Sequence, residues 1–211
     1  MGLKLDGVHI AIGAVTLVPD LDIVVAPGER VTVMGPSGCG KSTLLAFIAG
    51  TIEPAFTTAG SVTIDGVDIT QLAPERRGVG ILFQDDLLFP HLSVGDNLAF
   101  GLKPTVRARD ARRDSVARAL AEADLAGFAD RDPATLSGGQ RARVALMRTL
   151  LAEPRALLLD EPFNKLDSRL RQDFRRFVFE HAEQRRLPIL LVTHDAADAE
   201  AAGGRVIILE A

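Results

Sequence analysis

The chain has 211 residues, enough for one large core or two small ones. A formal charge of −4 supplies no global basic field for nucleic acid, and 47% hydrophobic with 25% charged residues is the balance of a soluble globular protein. The single cysteine, Cys39, excludes an internal disulfide and suits a reducing compartment, no apolar run approaches a membrane span, and the opening Met1-Gly2-Leu3-Lys4-Leu5-Asp6 lacks the apolar stretch of a signal peptide.

Residues 1–34 read as strands at Leu3–Leu5, Leu21–Val25 and Val31–Met34, with turns at Asp6-Gly7 and Pro27-Gly28. The third strand runs into Gly35-Pro36-Ser37-Gly38-Cys39-Gly40-Lys41-Ser42-Thr43, which fits the phosphate-binding pattern G-x-x-x-x-G-K-[ST], and a helix follows to Gly50. Glycines let the backbone curl so that N–H groups point inward at an anion, and the helix N-terminus adds partial positive charge. Gly35, Ser37, Gly38, Cys39, Gly40, Lys41, Ser42 and Thr43 are thus candidate ATP-binding residues, with Lys41 reaching the β- and γ-phosphates and Ser42 binding Mg²⁺. Cys39 reads as a small filler or, without support, as a redox switch.

Ser61–Gly66 predicts a strand running into a turn, and Val79–Phe83 a buried strand ending at Gln84. The pattern then turns helical. Ser93 is a plausible N-cap for a run to Leu102, Arg109–Leu125 carries apolar residues at helical spacing, and a third helix spans Gly138–Leu151. The cluster Arg107, Arg109, Arg112 and Arg113 reads as a solvated helix face, with lipid head groups as the remote alternative. β character returns at Ala156–Asp160, then come a long helix from about Leu166 to Arg186, a strand at Pro188–Val192, a short Ala-rich helix and a last strand at Arg205–Leu209. Strands alternating with helices predict an α/β fold with a mostly parallel sheet and a helical insertion. The expected division is a core of residues 1–84 and 153–211 with a helical subdomain at 85–152, in one domain of residues 1–211.

Three strand ends carry chemistry. Asp160-Glu161 stands where an open α/β sheet places ligands, so one acid can face Mg²⁺ and the next the attacking water; a solvated acidic turn fits as well. His194 could hydrogen-bond a γ-phosphate, and Gln84 could contact Mg²⁺ and its water, though both residue types are often plain surface groups. His9, His91 and His181 read as structural or solvated. Leu136-Ser137-Gly138-Gly139-Gln140 opens the third helix and makes a second anion-binding surface. With only one phosphate loop in the chain, that surface suggests a nucleotide shared between two copies.

Taken together, GPSGCGKST (35–43), Gln84, LSGGQ (136–140), ALLLDEP (156–162), KLD (165–167) and His194 occur in the order found in the ATP-binding subunits of ABC transporters, which the chain resembles over essentially its whole length. The resemblance implies a P-loop NTPase core with a mostly parallel sheet, an N-terminal antiparallel β subdomain and an inserted helical signature subdomain. It implies a Mg²⁺-dependent ATPase that works as a head-to-tail homodimer, each ATP lying between one copy's phosphate loop and the other's Ser137, Gly139 and Gln140. Asp160 would hold the metal, Glu161, His194 and Gln84 would serve catalysis, and Asp167 would signal across the interface. Partners would be transmembrane permease subunits and a solute-binding protein, with no nucleic acid, at the cytoplasmic face of the membrane.

The segment from Phe83 to Leu98 looks like that of importers, and Leu87, Leu88 and Phe89 would either line the groove for a permease helix or be buried in the helical subdomain. Asp132-Pro133-Ala134-Thr135 is similar to short YnjD-like subunits, which points to a small polar, thiamine-like solute. An exporter or lipoprotein-release ATPase is the nearest alternative, and a non-transport ABC clamp the next. Three departures stand out. The position that often stacks adenine on an aromatic is Ile12, so aliphatic contact and weaker base discrimination are expected. Asn164-Lys165 replaces the small residues more usual before Leu166-Asp167, and Lys165 reads as solvated, or as a partner for an acid across the interface. The chain stops at Ala211, so no C-terminal regulatory β domain is expected, and dimers should be weak without ATP.

Overall fold

The computed structural model describes residues 2–209. Met1, Glu210 and Ala211 lie outside the described residues, and with them the chain ends on which the expectations about a leader and a C-terminal domain bear. The chain forms two compact units: one of residues up to Ile81, Arg155–Glu161 and from Phe179 onward, the other of Leu82–Pro154 and Pro162–Val178.

The first unit begins with an antiparallel ribbon, β1 (Leu3–Ile12) and β2 (Val15–Val25). The expected turn at Asp6-Gly7 is absent; the residues lie inside β1. Gly7 takes a positive φ of 56° and the pairing slips between Leu5 and Val8, so the glycine makes a bulge rather than a turn. Its amide donates to the Asp22 carboxylate at 2.7 Å. The bulge realigns the alternation so that Val8 and Ile10 still face the core, both fully buried. The chain reverses instead at Gly13-Ala14. Pro19 is tolerated in β2 because that strand is the sheet's edge, in the order β2-β1-β4-β5, with β4 (Phe56–Ile64) and β5 (Val67–Asp68) completing it.

The second sheet of this unit is built from β3 (Arg30–Met34), β6 (Val79–Leu82), β7 (Ala156–Asp160), β8 (Ile189–Thr193) and β9 (Arg205–Ile208), in the order β6-β7-β8-β3-β9. β7 and β8 read as continuous apolar runs because both faces are covered: Leu157, Leu158, Leu159, Leu190, Leu191 and Val192 are fully buried. β3 runs parallel to β8 and β9, and β7 parallel to β8. Register levels their C-terminal ends, pairing Met34 with Thr193 and Asp160 with Val192. The residues that follow these strands, Gly35, Glu161 and His194, are therefore delivered to one edge of the sheet.

Between β3 and β4 lies α1 (Lys41–Ala49), which buries Leu44, Leu45, Phe47 and Ile48. Its far end is closed by Arg77, whose guanidinium donates to the carbonyls of Phe47 (2.8 Å) and Ile48 (2.9 Å), and also to those of Leu72 and Thr70. Placing a cation on the last carbonyls of a helix satisfies orphan acceptors and opposes the helix dipole. Burial lowers the Arg77 guanidinium below its usual range, and the charge of Asp68 offsets part of that.

The second unit holds α2 (Val94–Phe100), α3 (Arg109–Glu122), α4 (Gly138–Leu151) and the first turns of α5 (Ser168–Gln184). Ser93 caps α2 as its sequence predicts, accepting from the Asp96 amide. Leu98, Val116, Leu120, Val144, Leu146 and Leu150 form the buried faces. Asn97, fully buried, ties down the loop ahead of α2: its amide group donates to the carbonyls of Phe89, Leu92 and Ser93, and its oxygen accepts from the Phe89 amide. Arg112 departs from the expected solvated face; it is half-buried and donates to the carbonyls of Ala99 and Val106. No helix among the described residues is long and apolar enough to cross a membrane.

Candidate nucleotide site

The loop after β3 has the geometry its glycines predict. Gly38 and Gly40 take φ of 85° and 92°, the left-handed region that other residues enter only at a cost. Gly35 is needed for space: a Cβ there would come within 2.5 Å of the Leu209 carbonyl oxygen. Gly40 is the N-cap of α1 and offers no side chain, so the first amides of that helix stay available. Lys41 is almost fully buried and folds back over the loop, donating to the carbonyls of Gly35 (2.8 Å) and Pro36 (2.7 Å). Two loop carbonyls thus hold the ammonium, where an anion would take their place as its partner. Cys39 is buried, with its Sγ 3.9 Å from the Lys41 Nζ. Ser37 and Ser42 are exposed and Thr43 is half-buried.

The level strand ends bring the acids to this loop. The Ser42 hydroxyl donates to Asp160 Oδ1 at 3.0 Å. Burial holds the Asp160 carboxyl above its ordinary range, the Ser42 hydrogen bond opposes that shift, the charge of Glu161 adds to it and that of Lys41 subtracts. Glu161 stands one residue further, at a φ of 46°, with its amide on the Val192 carbonyl. Its carboxylate lies 3.1 Å from His194 Nδ1. A non-glycine residue in the left-handed region stores strain, which turns Glu161 out of the strand's alternation and toward His194. Sequence reasoning missed what steadies His194. The Thr193 hydroxyl donates to the fully buried Asp198 and accepts from the Asp195 amide, which fixes the turn carrying the imidazole. The signal was legible as T-H-D-x-x-D, with Asp195 capping α6 (Ala196–Ala202).

Ser37, Lys41, Ser42, Asp160, Glu161 and His194 therefore share one unit and one sheet edge. Ile12 closes the β1–β2 ribbon of the same unit, paired in register with Val15, and the two are 42% and 59% exposed. Leu17 of β2 backs the loop, since a Cβ on Gly40 would lie 3.0 Å from the Leu17 Cβ. The signature turn lies in the other unit. Ser137 accepts from the Gln140 amide while Gln140 Oε1 accepts from the Ser137 amide, a reciprocal capping box. Leu170 packs against Gly139, where a Cβ would sit 3.3 Å from its Cδ2. Gln84 is exposed in this second unit, followed by a segment held by cations. Leu87 of that segment is 56% exposed and Phe89 is half-buried, edge-on to Phe100 at 4.6 Å.

A glycine loop between a parallel strand and a helix, with acids at the end of a neighbouring strand, defines a P-loop nucleotide-binding fold. Residues 18–164 match the family model described as ABC transporter. The chain is 48% identical over 185 residues to the uncharacterised ABC transporter ATP-binding protein YnjD of Escherichia coli K12, covering 88% of this chain and 85% of that protein. It is 41% identical over 207 residues to the Fe(3+) ions import ATP-binding protein FbpC of Mannheimia succiniciproducens, covering 98% of this chain but only 58% of that longer protein. A solved structure, the dimeric post-hydrolysis state of the ATP-binding cassette MJ0796 bound to ADP and Pi, matches with a TM-score of 0.81 at 31% identity, covering 98% of this chain and 94% of that one. The chain belongs to the ABC transporter family.

Proposed function

We propose that this chain is the ATP-binding and ATP-hydrolysing subunit of an ABC importer. The observation that carries the proposal is the convergence at one sheet edge of Lys41 over the phosphate loop, Asp160 on the Ser42 hydroxyl at 3.0 Å, and Glu161 at 3.1 Å from His194. In this reading Gly35, Ser37, Gly38, Cys39, Gly40, Lys41, Ser42 and Thr43 cradle the triphosphate, and Ile12 supports the adenine by aliphatic contact. Glu161 orients and deprotonates the attacking water, while His194, steadied by Glu161, Thr193 and Asp198, binds the γ-phosphate.

The donor set suits Mg²⁺. Ser42 and Asp160 offer two hard oxygens already in contact, and no group of three or more His, Cys, Asp or Glu among the described residues would hold a metal without the nucleotide. Mg²⁺ is commonly held this way, by one carboxylate plus phosphates and water. Ser42 and Asp160 would hold it, and the ion would neutralise charge on the β- and γ-phosphates.

The core unit supplies these groups, and the helical unit supplies Ser137, Gly139 and Gln140 to the ATP of a second copy, head to tail. Asp167 signals across that interface. The capping box supports the assignment, because it fixes the Ser137 hydroxyl and leaves the early amides of α4 for a partner's phosphate. Partners follow as two copies of this chain, permease subunits in the membrane, and a solute-binding protein acting through the permease, with the chain peripheral on the cytoplasmic face. The relatives named for import support import over an exporter or lipoprotein-release role.

Phosphate release and nucleotide binding by the parent and Glu161→Gln test this reading. The variant should bind ATP, remain dimeric with it, and hydrolyse about 10²–10⁴-fold more slowly. Near-normal turnover in Glu161→Gln would remove the general-base assignment.

A further inference from the structure

Asp85, Asp86 and Leu87, directly after Gln84, are tethered by cations of the helical unit. Arg148 donates to the carbonyls of Leu87 (2.8 Å) and Asp86 (3.2 Å). Arg141 Nε donates to the Asp86 carboxylate at 3.3 Å. Lys165, which was expected to be solvated, pairs with the Asp85 carboxylate of its own chain. Leu87 meanwhile sits at a φ of 46°, a left-handed backbone that a leucine does not adopt unaided. Three cations therefore hold a strained loop against its own relaxation.

The two arginines come from α4 and anchor the loop to the helix it already lies on. Lys165 is different. It stands two residues before Asp167, on the turn that leads into α5, and Leu166 and Lys165 line the same cleft of about 730 Å³ as Gln84, Asp85 and Leu88. Its partner Asp85 adjoins Gln84. The pair is therefore a tie between the segment that carries Gln84 and the turn that carries Asp167. Asp167 in turn caps α5, accepting from the Leu170 amide at 3.0 Å, and Leu170 packs on Gly139. Gln84 adjoins Asp85, Asp85 pairs with Lys165, Lys165 stands two residues from Asp167, and Asp167 and Leu170 lead to the signature turn. Both members are more than half exposed, so the tie is a modest one that salt should weaken.

We propose that Lys165 is a positioning residue: its ion pair with Asp85 locks the Gln84 segment to the Asp167 turn, so that the two move as one element. The kinetic part of the proposal rests on the hydrolytic function above. The structural part does not.

The test compares the parent with Lys165→Ala, Asp85→Asn and the reversed pair Lys165→Asp/Asp85→Lys. Hydrogen exchange of the Phe89 amide, which donates to Asn97 Oδ1, should quicken two- to fivefold in both single variants and return toward the parent in the reversed pair, a range set by the worth of a partly exposed ion pair. ATP hydrolysis should show kcat lowered by a similar factor with KM for ATP unchanged, and the difference should shrink as salt is raised. Single variants that match the parent in exchange would overturn the proposal. So would a reversed pair no better than the singles. Failure of the functional reading would look different: the exchange pattern would stand while neither the parent nor any variant released phosphate from ATP.

Discussion

The two helices that open on glycine-rich turns solve the same problem in opposite ways. α1 begins at Gly40 with no side-chain cap, and its far end is closed by the buried Arg77. α4 begins with a complete capping box of Ser137 and Gln140, made from its own side chains. Lys41 folds back over the first start, donating to the Gly35 and Pro36 carbonyls, and in the proposed function a phosphate would complete it. The second is already satisfied, so it offers shape and residual amides rather than an unmet need. That difference suits the shared nucleotide proposed above, in which one surface would grip the triphosphate and the other would join from a partner copy.

The largest effect should come from the open start. Lys41→Ala should lower ATP hydrolysis by about 10²–10³-fold and weaken nucleotide binding, read by phosphate release and by calorimetry. Retained hydrolysis would erase the distinction between the two turns. Next is the closed end of α1. Arg77→Ala leaves the buried carbonyls of Phe47 and Ile48 and the half-buried ones of Leu72 and Thr70 without this donor, which should cost about 2–4 kcal/mol and lower the melting midpoint by about 5–15 °C. Ser137→Ala should be milder, costing about 1 kcal/mol of stability through the lost cap and lowering the midpoint by about 2–4 °C. If α4 tolerated that change without any shift, its cap would not be the feature that separates it from α1.

The smallest effect is a pH dependence at the open start. Burial raises the Asp160 carboxyl above its ordinary 3.8, so the native state holds that proton more tightly than the unfolded chain does. Stability therefore falls as pH climbs from the ordinary value to the raised one, and above it the buried charge is a standing cost. Asp160→Asn, without metal or nucleotide, should melt slightly above the parent at neutral pH. The gap should close on acidification toward the ordinary carboxylate range, which thermal melts across pH would read. A gap that widened instead would reverse the sign of the assignment.

Much of the architecture was legible because it is local. β7 and β8 announce themselves as unbroken apolar runs, and α4 begins and ends where the run from Gly138 to Leu151 predicts. The phosphate loop was legible because its glycines, lysine and serine are consecutive. Asp6-Gly7 misled because a glycine at positive φ serves a bulge as readily as a turn, and only the cross-strand register with β2 and β4 tells them apart. Lys165 misled for a related reason: its partner Asp85 is remote in sequence, and an exposed lysine carries no local mark of pairing. Arg77 and Asp198 look like ordinary surface charges in the sequence, yet each is nearly or wholly buried because backbone carbonyls or a threonine hydroxyl wait for it.

The sequence by itself determined which chemical groups exist and which of them are neighbours along the chain: a loop that can bind phosphate, two acids at a strand end, a capped glycine turn. Periodicity and short motifs encode these because they depend on contacts within a few residues. Tertiary structure alone decided that Asp160 meets Ser42, that Glu161 bends back to His194, and that Arg77 closes α1. Those meetings depend on the parallel register of β3, β7 and β8 and on the packing of remote segments, and no window of consecutive residues contains that information.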